Sequence, residues 1–246
     1  MTIATLLTDE MLRYVYSSAM FQQLTEQEQH AFLCAFQDNK LFANVLEIAM
    51  SINQSIAEVE AIMPVLLNKD SILTAEKQMH LKSNTTIEGN VIYYPFEQKN
   101  APYVVCLQHL EDPELRALSI GLLLPLFSIC TGDCRDLVII PFSEEAEVLT
   151  FECGKPTVDG FQKLLNNDPK NQTVMYQALT KSIEITGQLK NAEIFIITNN
   201  QIADYKKVVQ HDFSNVQAEI SVIALSESKF EQSPLPFAQK IFFALQ

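Results

Sequence analysis

The residues of this 246-residue chain that could act on another molecule gather first at Gln108-His109-Leu110-Glu111-Asp112, directly after the strand-like run Tyr103-Val104-Val105-Cys106-Leu107. In an α/β sheet, a turn after a buried strand lies at the strand's carboxyl end, where loops converge and ligands bind. His109 beside Asp112 and Thr173 would supply a general base with a carboxylate to orient it. No recognisable motif places a serine or cysteine nucleophile next to it. Cys130-Thr131-Gly132-Asp133-Cys134 sets two thiols four residues apart, but zinc needs two further soft or imidazole ligands, and no second cysteine pair or histidine cluster provides them. Cys130 closes an apolar run and reads as a small buried hydrophobe. His30, His80 and His211 lie in polar helical contexts and read as surface residues. With 6 glycines and neither a Walker nor a dinucleotide loop, close backbone approach to a nucleotide is not expected.

The elements that must hold these residues are legible in the hydrophobic pattern. From Thr8 to about Ser83 the pattern is helical. Thr25-Glu26-Gln27-Glu28 and Ser55-Ile56-Ala57-Glu58 both have the capping-box form, and four or five short helices follow, with Pro64 expected to kink or end the fourth. Their acids outnumber their bases, so a packing or docking module is favoured over a DNA-binding one. Near residue 84 the composition turns polar and the period changes, placing a boundary between a helical module, 1–83, and an α/β domain, 84–246.

Within the second part, Val91 to Tyr94 is β-rich, and strands are expected at Tyr103 to Leu107, Leu137 to Phe142, Glu147 to Glu152 (turning back along an edge), Glu193 to Thr198, Ala218 to Leu225 and Lys240 to Leu245. Helices are expected at Pro113 to Cys130, Thr157 to Leu165, Thr173 to Thr186 and Ile202 to Gln210. Alternation of this kind gives a mostly parallel sheet wrapped by helices.

The bulk properties set limits on function. A hydrophobic share of 48% with 19% charged residues belongs to a globular chain. A net charge of -13, with no basic run to offset it, opposes nucleic-acid binding. The amino terminus meets acid before an apolar leader can develop, and the five cysteines are an odd number in apolar or strand-like settings, so a cytoplasmic chain with free thiols is expected. Ala117 to Cys130 is shorter than the roughly 20 residues a bilayer requires and reads as a buried helix.

From about Tyr103 to its end the chain resembles a von Willebrand factor A domain, nearest to the bacterial type that works beside MoxR-family AAA+ ATPases, as in ViaA and CoxE-like proteins. The marks are Val104-Val105-Cys106-Leu107 before the first loop, the apolar segment Ala117 to Leu126, Ile139-Ile140-Pro141-Phe142-Ser143 with acids after it, Thr173 opening a helix, and Ile194 to Thr198 ahead of the next loop. The resemblance implies a three-layer, Rossmann-like domain. It also implies a divalent-cation site built from Asp-x-Ser-x-Ser, a threonine and a late aspartate.

Here Gln108, Leu110, Asp112 and Asn199 (after Thr198) stand at the four replaced positions, and Thr173 alone matches. Leu110 has no lone pair to offer, and neutral amides replace two carboxylates, so tight Mg²⁺ binding is not expected. What the resemblance then implies is a non-enzymatic interaction protein without cofactor or metal, an adaptor of an AAA+ ATPase or of a multiprotein assembly. Its binding surface would comprise Gln108, His109, Leu110, Asp112, Thr173, Thr198 and Asn199. Two alternatives stand beside it: a metal-dependent module using Asp112, Thr173 and Asn199, and a hydrolase using His109 and Asp112.

Overall fold

The computed structural model describes residues 6–66, 86–88, 91–93, 101–166, 174–187, 189, 192–199, 201–211, 213, 216–225, 235 and 237–243. Four helices open the chain: α1 (Asp9–Ser17), α2 (Ala19–Gln22), α3 (Glu26–Phe36) and α4 (Lys40–Leu66). The capping box expected at α3 is present. Thr25 Oγ1 accepts from Glu28 N at 3.3 Å, and Glu28 Oε2 accepts from Thr25 N at 2.8 Å. Asn39 Oδ1 caps α4 by accepting from Phe42 N at 3.0 Å.

The second expected box does not start a helix. Helix α4 is one 27-residue element that runs through Ser55 and past Pro64. No glycine or proline lies between Lys40 and Met63, so nothing there interrupts the ladder of backbone hydrogen bonds, and a hydroxyl and a carboxylate alone do not outcompete it.

Two compact units make up the chain: Met1–Met50 together with Asn100–Gln246, and Ser51–Lys99. The division differs from the single boundary expected near residue 84. The β-rich run near residue 91 forms a hairpin of β1 (Thr86–Glu88) and β2 (Val91–Tyr93), paired antiparallel with Ile87 opposite Ile92, and it belongs to the second unit.

The first unit holds a six-stranded sheet of β3 (Tyr103–Gln108), β4 (Leu137–Phe142), β5 (Leu149–Phe151), β6 (Glu193–Thr198), β7 (Glu219–Ala224) and β8 (Lys240–Phe243). Their order across the sheet is β5-β4-β3-β6-β7-β8. All neighbours run parallel except the edge strand β5, which turns back on β4 with Ile139 opposite Leu149. The chain moves outward from β3 to β4 and β5, then returns to the other side of β3 with β6. The switch point therefore lies between β3 and β6, which pair in register from Tyr103–Glu193 to Leu107–Ile197.

The connecting helices are α5 (Pro113–Gly121), α6 (Leu123–Asp133), α7 (Val158–Asn166), α8 (Met175–Thr186) and α9 (Tyr205–Gln210). The expected single helix from Pro113 is thus two, broken at Leu122. Pro125 is the reason: it has no N–H for the carbonyl of Gly121, and its ring clashes there. By length and composition, the stretch Pro113–Asp133 would suffice to cross a membrane. Its apolar residues Ala117, Ile120, Leu123, Leu124, Phe127 and Cys130 are instead buried in the protein core.

Strand residues alternate between two cores. Val105, Leu107, Leu137 and Ile139 face one with α5, α6 and α7, while Val104, Cys106, Val138, Ile140, Ile194 and Ile196 face the other with α8 and Val208 of α9. A mostly parallel sheet with helices on both faces is compatible with a Rossmann-like fold.

The amino-terminal helices share the first of these cores. Met11, Val15, Phe21, Phe32, Phe36 and Phe42 pack in one cluster with Phe127, Phe151 and Phe161. The ring centroids of Phe32 and Phe161 are 5.1 Å apart at an interplanar angle of 74°, the edge-to-face arrangement that ring quadrupoles favour.

Candidate functional site

The switch point is where an open parallel sheet ordinarily binds a ligand, and here Gln108 occupies it. The side chain of Gln108 is buried at the carboxyl end of β3. Its Oε1 accepts from Thr198 Oγ1 at 2.5 Å and from Asn199 N at 3.0 Å, and its Nε2 donates to Gln201 O at 3.2 Å. One neutral amide thereby ties the end of β3 to the end of β6 and to the loop beyond. Such a group costs nothing in desolvated charge and leaves no buried polar atom of its own unsatisfied. A carboxylate in its place could accept from Thr198 and Asn199, but it could not donate to Gln201 O.

The neighbouring positions are likewise committed to structure. Leu110 is buried in the first core. Asp112 is the N-cap of α5, its Oδ1 accepting from Glu114 N at 2.8 Å and Leu115 N at 3.3 Å, with Pro113 set at the first helical position. Asn199 is half-buried, and its Oδ1 accepts from Gln201 N at 3.0 Å, a local turn that fixes the loop after β6.

His109 lies inside, not at the rim. Its backbone N donates to Phe142 O at 3.0 Å, continuing the β3–β4 pairing by one residue. The ring is buried, and burial first, with the nearby Arg116 guanidinium second, pushes its pKa down to about 4. The imidazole is therefore neutral at neutral pH.

The structure brings Gln108, Thr198 and Asn199 into direct contact, with His109, Leu110 and Asp112 following in sequence. Thr173 lies outside the described residues. Helix α8 begins at Met175, not Thr173, and no side chain of its own N-cap residue, Val174, serves it. Asp204 does so from the loop before α9, its Oδ1 accepting from Met175 N and its Oδ2 from Tyr176 N, both at 2.9 Å. Sequence reasoning missed Asp204 because its partners lie 29 and 28 residues away. Gln201 was missed too, because it contributes a backbone carbonyl.

Among the described residues no group of three or more His, Cys, Asp and Glu side chains is placed to hold a metal ion. Cys130 and Cys134 part company: Cys130 is buried, and burial pushes its thiol up to about 12, while Cys134 is exposed at the end of α6. What the carboxyl edge of the sheet offers is an ordered surface. Glu111, Asp112 and Gln201 are exposed on it, above a neutral hydrogen-bonded floor of Gln108, Thr198 and Asn199. Comparison of the chain with protein-family models, with curated proteins and with solved structures finds no match.

Proposed function

We propose that this protein is a non-enzymatic binding module that engages a protein partner through the carboxyl edge of its sheet, in the manner of a von Willebrand factor A domain whose cation site has decayed. The observation that carries the reading is the bridge made by Gln108. The crevice at the switch point is closed by a buried amide whose oxygen already accepts two hydrogen bonds. A divalent cation would have to compete with both. It would also meet Asp112 with one carboxylate oxygen already accepting from two helix amides, and Gln108, Thr198 and Asn199 would offer it only neutral oxygens. The helix-flanked, mostly parallel sheet supports the same resemblance, and through it an AAA+ ATPase or a component of a multiprotein assembly as partner.

The exposed residues Glu111 and Gln201 are the ones to vary, because Gln108, His109 and Leu110 are buried and substitutions there would report on folding. Capture from native lysate with the full chain should recover a discrete partner that is lost with the double variant Glu111→Arg, Gln201→Arg, while the thermal midpoint stays within a few degrees. An unchanged set of captured proteins would remove this surface from consideration. Calorimetric titration with Mg²⁺ or Mn²⁺ should give no heat of binding. A heat that disappears in Asp112→Ala would favour the metal-dependent module instead.

A further inference from the structure

Two residues outside the sheet's carboxyl edge have a geometry that neither the fold nor the proposed binding role uses. Among the described residues, the non-glycine positions with positive φ are Cys134 (φ 51°) and Cys153 (φ 47°). A side chain in this left-handed region brings its Cβ too close to the following carbonyl oxygen, and such strain persists where the surroundings hold it in place. Both cysteines carry it, and their sulfurs face each other at 2.9 Å. A disulfide has an S–S distance of roughly 2.05 Å, so the gap left to close is about 0.9 Å.

The pair joins two elements. Cys134 is the C-cap of α6, and Cys153 lies in the single 3₁₀ turn Glu152–Gly154 after β5. Cys153 is fixed there by its own N–H, which donates to Asp136 Oδ1 at 2.9 Å. The next residue, Gly154, is also in the left-handed region (φ 67°), and a Cβ there would come within 2.6 Å of Phe127 O. The turn is thereby pressed against α6 with its thiol aimed at Cys134.

We propose that Cys134 and Cys153 form a reversible intramolecular disulfide by exchange with a small-molecule disulfide, clamping the end of α6 to the turn after β5. Cys134, the exposed thiol, attacks as its thiolate on one sulfur of the small disulfide. That S–S bond breaks, one small thiolate leaves, and a mixed disulfide forms on Cys134. Cys153 Sγ then attacks Cys134 Sγ and expels the second small thiolate. Two protein thiols are oxidised, one small disulfide is reduced to two thiols, and the two protons lost by the cysteines end on those products. The hydrogen bond with Cys134, then burial, push the Cys153 thiol up to about 11, so Cys153 stays protonated while Cys134 makes the first attack, and it loses that hydrogen bond once Cys134 is a mixed disulfide.

Around the pair in sequence, Asp133, Asp136 and Glu152 outnumber Arg135 and Lys155, and those two cations are already paired with Glu193 and Glu28, so the local charge is net negative and a cationic disulfide is preferred to an anionic one. The clamp also lies beside the amino-terminal helices. Gln23 Nε2 donates to Cys153 O at 3.4 Å, and Lys155 Nζ pairs with Glu28 at 2.8 Å. Closing the bond therefore stiffens the seam between those helices and the sheet edge, independently of the binding function proposed above.

The test treats the native full chain with cystamine or with oxidised glutathione, followed by acid quenching, alkylation and peptide mapping. The expected result is a cross-linked Cys134–Cys153 peptide, two fewer titratable thiols than the five of the reduced chain, a raised thermal midpoint, and faster reaction with cystamine than with oxidised glutathione. Cys153→Ser should stop at a mixed disulfide on Cys134. Cys134→Gly, which suits the backbone, and Cys134→Ser should both abolish the cross-link. Retention of five titratable thiols, a different pairing, or a cross-link between two chains would overturn the proposal.

Discussion

Burial, with Arg116 adding to it, pushes the His109 imidazole down to about 4 from an ordinary 6.5. The unfolded ring therefore takes up a proton on acidification that the folded ring refuses until the pH is near 4. The stability contributed by the neutral ring is complete above pH 6.5 and is lost as the pH falls from there through about 4. At pH 5 the loss amounts to about 2 kcal/mol by the same linkage. Unfolding free energies from urea titrations at pH 7.5 and pH 5 should differ by that amount for the native chain and by much less for His109→Gln. Equal slopes for the two would mean that another group titrates. Glu28 does not interfere: its carboxyl, held down to about 2 by Lys155 and by the amide of Thr25, loses its favourable pairing only as the pH falls from the ordinary value of 4.5 through that lower one. At this scale the sequence showed which residues stand at the end of β3 but not their roles. Gln108, His109 and Leu110 are consecutive in a turn, and whether an amide or an imidazole there faces solvent or the interior depends on β6 and α7, whose approach no local pattern encodes.

Strands β3, β4 and β6 were legible because a strand covered on both faces reads as an unbroken apolar run, and each lies within a residue of its expected position. The antiparallel edge strand β5 was legible for a different reason: few residues separate it from β4, too few for a crossover. Helix starts were legible where the cap is local, as at Thr25, and misplaced where it is not. For α8 the start expected at Thr173 is instead Met175, capped by Asp204 from a distant loop. Removing that carboxylate leaves two helix amides without their acceptor, so Asp204→Ala should destabilise the protein by about 1–2 kcal/mol. Asp204→Asn keeps one acceptor oxygen and should recover part of the loss. Chemical denaturation of the three proteins under identical conditions measures it, and hydrogen exchange should show the amides of Met175 and Tyr176 deprotected in Asp204→Ala. Protection unchanged at those two amides would mean that solvent or another side chain can serve the helix as well.

The placement of the amino-terminal helices has the largest consequence for the molecule as a whole. Their helically spaced apolar positions suggested a separate packing or docking module, whereas Phe21, Phe32, Phe36 and Phe42 belong to the same cluster as Phe127, Phe151 and Phe161. Periodicity shows that a helix has an apolar face but not what that face will meet, which is why this part of the architecture could not be read from the sequence. Phe161 is the pivot, since its ring lies 5.1 Å from that of Phe32 and 5.3 Å from that of Phe127. Truncating a buried phenylalanine costs about 3–5 kcal/mol, and deleting helices α1–α4 would uncover several at once. A chain beginning at residue 100 should therefore lose cooperative thermal unfolding and bind a hydrophobic dye at neutral pH, although every strand of the six-stranded sheet is retained. Calorimetry of that fragment beside the full chain decides the matter: a sharp transition at the full chain's midpoint would mean that the sheet and its other helices suffice. Loss of that transition would make the amino-terminal helices, α4 included, part of the domain's own core, so that whatever binds the sheet's carboxyl edge meets a surface whose stability depends on helices at the other end of the sequence.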